Sequence, residues 1–193
     1  MKKILALALS LMMALSCVAA FAETAEKEST EKQTMTMIGA FDIRYDPLPE
    51  YYDMVVENND EMSYVAVYNP KEKGHPMLVL SISFSDAWSG VNTLADATEE
   101  DKEAIKKSFY ETAELDEGDL EFSDAQTGLG TPLMVVKSKD DTLGALFGIY
   151  QSHEIEIDIF TNGEEGVKAS DEIETLIKFL TDVEFVPVET AAK

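Results

Sequence analysis

Apolar and polar residues alternate most strictly in HEIEIDIF, residues 153–160, where Ile155, Ile157 and Ile159 interleave with Glu154, Glu156 and Asp158. A period of two puts each set on its own face of a strand. The pattern therefore predicts isoleucines in the core and a solvated row of carboxylates. Phe41, Ile43 and Tyr45 repeat the period against Asp42, Arg44 and Asp46, and Pro47 and Pro49 end that strand. A short turn or helix is expected over 50–57. The runs YVAVY (64–68) and MLVLSISF (77–84) flank the turn-forming NPKEKGHP and predict a hairpin with a loose connection. Further strands are expected at 120–122, 132–138 and 143–152. The last is apolar on both parities, as a central strand covered on both faces should be, and it pairs with 154–160 through a tight turn at Ser152-His153. A final strand is expected at 183–188.

Two segments change period. Thr98 followed by Glu99, Glu100 and Asp101 is an N-cap with acids in the first turn, and Ile105, Phe109 and Ala113 supply one apolar stripe. Ser170 is the expected cap of a second helix in which Ile173, Leu176, Ile177 and Leu180 fall at i, i+3, i+4 and i+7. Strands in antiparallel succession with two main helices predict an α+β fold, a largely antiparallel sheet packed with those helices as a sandwich.

The ends read differently. Residues 1–22 join Lys2 and Lys3 to a short apolar run and to small residues at Ala20 and Ala22, which predicts a bacterial signal peptide cleaved before Glu23. Cys17, in Ala14-Leu15-Ser16-Cys17, is the alternative: a lipidation site that would anchor the chain to the outer side of the cytoplasmic membrane. Residues 23–34, ETAEKESTEKQT, read as a flexible polar leader, 35–188 as a single domain and 189–193 as a polar tail. No segment after the signal approaches the ~20 apolar residues of a membrane-spanning helix. The expected product is exported and monomeric. Cleavage before Glu23 removes the single cysteine, and with it disulfides, thiolate metal sites and cysteine nucleophiles.

Losing residues 1–22 takes away Lys2 and Lys3 and no acid, leaving 13 basic residues against 38 acidic ones, a net charge of −25. Such a surface repels phosphate backbones, and Arg44 is the one arginine available for bidentate phosphate recognition. Nucleic acid is excluded as a partner. A protein, or a small cationic or neutral ligand, fits the charge.

Candidate chemistry is sparse. His75 and His153 are the two imidazoles, both expected in exposed turns. No nucleophile elbow, P-loop, dinucleotide fingerprint or HExxH motif occurs, so no catalytic residue is assigned and no cofactor is expected. A hydrolase using paired carboxylates is the enzymatic alternative. Calcium suits the acidic loops 58–61 and 114–119, but neither carries the D-x-[DN]-x-[DN]-G spacing, and the second reads equally well as a solvated turn between helix and strand, so no metal site is assigned. Trp88, the single tryptophan, follows a strand and precedes a loop. With Tyr51 and Tyr52 it forms the candidate ligand-binding patch, since large amphipathic rings favour recognition sites. Tyr64 and Tyr68 share a strand face and are expected to pack beneath a helix.

The order of elements carries a resemblance. FDIRYDPLPEYY looks like the phenylalanine-x-isoleucine-x-tyrosine-proline opening of the PsbP-like fold, shared by photosystem extrinsic proteins and many bacterial secreted proteins. The likeness continues through the mid-chain helix, the meander LMVVKS…GALFGIYQSHEIEIDIF and the closing DEIETLIKFLTDVEF, over about residues 38–188. The resemblance implies a non-enzymatic binding or assembly protein and brings no catalytic residue with it.

Overall fold

Among the described residues the alternating segments all form strands, and every strand pairing is antiparallel. The computed structural model describes residues 33–36, 41–59 and 63–187. The expected signal over 1–22, with Cys17, Ala20, Ala22 and Glu23 at its end, lies outside the described residues, as do leader residues 23–32 and the tail 189–193. Strands β1 (Gln33–Thr36), β2 (Phe41–Tyr45) and β10 (Glu184–Pro187) make a three-stranded sheet in the order β1-β2-β10. β1 takes in Gln33 and Thr34, from the stretch expected to be a leader. Strands β3 (Tyr52–Asn59), β4 (Ser63–Pro70), β5 (Met77–Phe84), β6 (Leu120–Gln126), β7 (Pro132–Ser138), β8 (Leu143–Tyr150) and β9 (His153–Phe160) make a seven-stranded sheet in the order β3-β4-β5-β9-β8-β7-β6. The helices are α1 (Glu99–Ala113) and α2 (Ser170–Asp182). The fold class is α+β, with a large antiparallel sheet packed against two helices.

Register shows why the larger sheet is double-sided. One row across it runs Ala66, Leu80, Ile157, Leu146, Val135, all buried, and this face packs against Leu176 and Phe179 of α2 and against Ile43 and Tyr45 of the small sheet. The alternate row runs Val65, Ser81, Glu156, Phe147, Met134. Its β7–β8 end lies beneath α1, whose Ile105 and Phe109 pack with Met134, Val136, Ala145 and Phe147. Its β4–β5 end carries a smaller cluster of Val67, Met77 and Val79. β8 and β9 are the inner strands covered on both faces, as the mixed parity of 143–150 predicts.

Four local expectations need correction. The turn or helix expected over 50–57 is largely edge strand β3 instead, because residues 52–59 pair along β4; a bulge at Val55 shifts the register between Met54 and Val56 and kinks that edge. The β8–β9 turn is Gln151-Ser152, both with positive φ (45° and 67°), which fits a two-residue hairpin with a twist matched to its strands. His153 therefore begins β9 rather than sitting in the turn. It is buried, with its Nδ1 2.9 Å from the Gln151 carbonyl oxygen. Finally, Ser170 is the first residue of α2 rather than its cap. The cap comes from Asp141, 29 residues away, which accepts from the Ser170 backbone N–H (2.9 Å) and hydroxyl (2.6 Å). The expected cap of α1 does form: Thr98 and Asp101 exchange side-chain and backbone bonds as a capping box.

Candidate functional site

Three places concentrate side chains that could act on something other than the fold. The first is the β9 carboxylate row. Glu156 is 6% exposed, and Glu154 and Asp158 are half-buried, so the solvated face expected from alternation is instead a polar seam between two apolar clusters. The cause is tertiary: α1 and the turn carrying Trp88 close over the second face of the sheet. Trp88 ends a 3-10 turn, Asp86–Trp88, capped by Ser85, and its indole N–H donates to Glu154 Oε1 at 2.5 Å. Ser83 Oγ donates to Glu154 Oε2 at 3.3 Å. Burial raises the Glu154 pKa, and these two bonds pull it part of the way back. Glu156 and Asp158 are two residues apart on β9 and share one face of the strand, so their carboxyl groups are neighbours. Burial first, and then the charge of Asp158, push Glu156 well above the ordinary carboxylate range, while burial pushes Asp158 up to about 6. Among the described residues, no three His, Cys, Asp or Glu side chains converge in a metal-holding geometry.

The second place lies on the other face of the sheet. Glu172, 4% exposed, points inward from the first turn of α2 and meets His75 Nδ1 at 2.9 Å and the Tyr51 hydroxyl at 3.3 Å. The Tyr51 and His75 rings stack with centroids 3.9 Å apart. Tyr52 is buried beside them, its hydroxyl near the same carboxylate but outside ordinary hydrogen-bond geometry. Burial and the charge of Glu172 raise the pKa of both tyrosines. The rings pack directly on one another, so the cluster ties the β4–β5 loop to α2.

The candidate patch of Trp88, Tyr51 and Tyr52 is thus divided. Trp88 belongs to the α1 side of the sheet and the tyrosines to the α2 side, and Trp88 and Tyr52 are buried. Tyr64 and Tyr68 are core residues on the α2 side, as expected. Glu172 escaped the sequence reading although its position carried a signal: residues 172, 176 and 179 share one helical face, so an acid occupies a core-facing position.

The third place is a cavity of about 330 Å³ at the end of the sheet where the β6–β7 turn meets the C-terminal end of α2 and β10. Thr127, Leu129 and Thr131 form one wall, Leu180, Val183 and Phe185 the opposite one. Its floor is β8 and β9 at Gly148, Tyr150 and Ile155. Gly148 keeps the floor flat, since a Cβ there would stand 2.9 Å from Leu133 Cδ2. The Tyr150 and Phe185 rings stack at 3.7 Å. Leu129, 78% exposed between two glycines, was the legible signal for this site: a large apolar side chain at the tip of a turn.

No protein-family model matches this chain, and no curated protein matches it. The cavity offers room for another molecule, whereas Glu156 of the seam and Glu172 of the cluster are buried among their neighbours.

Proposed function

We propose that the protein is a non-enzymatic binding protein of the bacterial cell exterior, and that it takes a small, largely apolar, neutral or cationic ligand into the cavity between the β6–β7 turn and α2. The observation that carries this reading is the cavity itself. Its volume, about 330 Å³, falls at the lower end of small-molecule sites. Its walls are mainly leucine, valine, isoleucine and aromatic side chains, with Thr127, Thr131 and Glu184 as polar points that could orient a ligand. The acidic charge of the chain disfavours anionic ligands. The resemblance to the PsbP-like fold supports the same reading.

The test uses a neutral naphthylamine dye whose fluorescence rises in apolar surroundings. The parent should bind it saturably, and Thr131→Trp, which narrows the cavity from its wall, should weaken binding at least tenfold with little change in melting temperature. Equal binding by parent and variant, or none by the parent, refutes the assignment.

A further inference from the structure

We propose that Glu156 and Asp158 form a proton-sharing latch across β9 that holds the middle of the seven-stranded sheet more tightly in mild acid than at alkaline pH. The latch is independent of the ligand cavity. It rests first on placement. The two residues are two apart on an inner strand, so they share a face, and their cross-strand neighbours are Ser81 and Val79 on β5 and Phe147 and Ala145 on β8. None of these four can neutralise a charge. From the overlying elements come Trp88, whose N–H is committed to Glu154, and the uncharged Ile105 and Phe109 of α1, which cluster with Ala145 and Phe147 beside the pair. Lys102 and Lys106 of α1 are held by Glu99 and Glu103. Glu154 is the remaining titratable group facing the pair, and it adds like charge. His153 has the opposite parity.

Two carboxylates in such surroundings cannot both ionise cheaply, and one proton held between them satisfies both. Both pKa values are raised by folding, so the folded protein retains protons that the unfolded chain releases above about pH 4. The stabilisation is therefore complete below the ordinary carboxylate range and is lost as pH rises from there to the folded-state values, by about 6 for Asp158 and at higher pH for Glu156. The sheet loosens where both acids are charged.

Holding the Asp158 carboxyl at about 6 instead of in its ordinary range corresponds to about a hundredfold change in the folding equilibrium, or on the order of 5–10 °C in melting temperature for a domain of this size. The acidic surface would also give acid stabilisation, but in 0.5 M salt its long-range repulsion is screened, whereas that of the buried pair persists. Melting temperatures of the parent, Glu156→Gln and Asp158→Asn are compared from pH 4 to pH 8 at that salt. The parent should fall by the stated amount more than either variant, and parallel falls overturn the latch. Should the variants not fold, carbon-13 NMR of the carboxyl groups of the parent decides. Midpoints near or above pH 6 for Glu156 and Asp158 support the latch; midpoints near 4 for both overturn it.

Discussion

Trp88→Phe removes one hydrogen bond while keeping an aromatic ring in place, and its cost should depend on pH. Trp88 is 7% exposed and packs with Leu94, Phe147 and Ile149, so the smaller ring loses some packing at any pH, about 1 kcal/mol. The indole N–H donates to Glu154 at 2.5 Å, and the carboxylate retains only the Ser83 hydroxyl when that bond is lost. A hydrogen bond to a charged group contributes about 1.5–3 kcal/mol, one between neutral groups about 0.5–1.5. The pKa of Glu154 is already raised by burial, and losing the indole raises it further. A raised carboxyl pKa destabilises the fold as pH rises, because the unfolded chain ionises first. Trp88→Phe should therefore cost about 2.5–4 kcal/mol at pH 8 but about 1.5–2.5 kcal/mol at pH 4, where Glu154 is largely protonated. Urea unfolding at both values, followed by far-ultraviolet circular dichroism because the fluorophore is gone, measures this difference. A double-mutant cycle with Glu154→Gln isolates the pair. Equal costs at the two pH values, or a coupling below about 0.5 kcal/mol at pH 8, would refute the bond as a stabilising element.

His75→Ala leaves the buried Glu172 with the Tyr51 hydroxyl and should cost about 1–3 kcal/mol; adding Glu172→Leu should recover part of it in urea unfolding, and strict additivity would contradict the coupling. Asp141→Ala removes the cap of α2 and places alanine at φ 60°, for about 1–3 kcal/mol in all, whereas Asp141→Gly relieves the backbone and should melt higher than the alanine variant. A glycine variant that melts lower would count against this account. Gly144→Ala puts a methyl group 3.1 Å from Ala169 Cβ and 3.3 Å from Ile159 Cδ1, at the junction of β8 and the start of α2, and should lower stability by about 1–3 kcal/mol; an unchanged melting temperature would show that the junction yields.

The local pattern determined a good deal. Period-two segments became strands, the stripe at 173, 176, 177 and 180 became a helix, and both follow from which face of an element a residue must occupy. The parity of β9 was right as well: Ile155, Ile157 and Ile159 enter the core beside Leu80 and Leu146. Tertiary structure alone decided what lies over the other parity. Alternation separates two faces of a strand but says nothing of whether the polar face meets water, and here Trp88 and α1, distant in sequence, close over it. The same physics hid the capping of α2 by Asp141 and the pairing of Glu172 with His75, 97 residues apart. The cavity too depends on the β6–β7 turn meeting the end of α2, an approach made only when the sheet and the helix have packed. Periodicity is written into neighbouring residues, whereas burial of a charge, the partner of a helix end and the walls of a cavity arise from contacts between segments far apart in the chain.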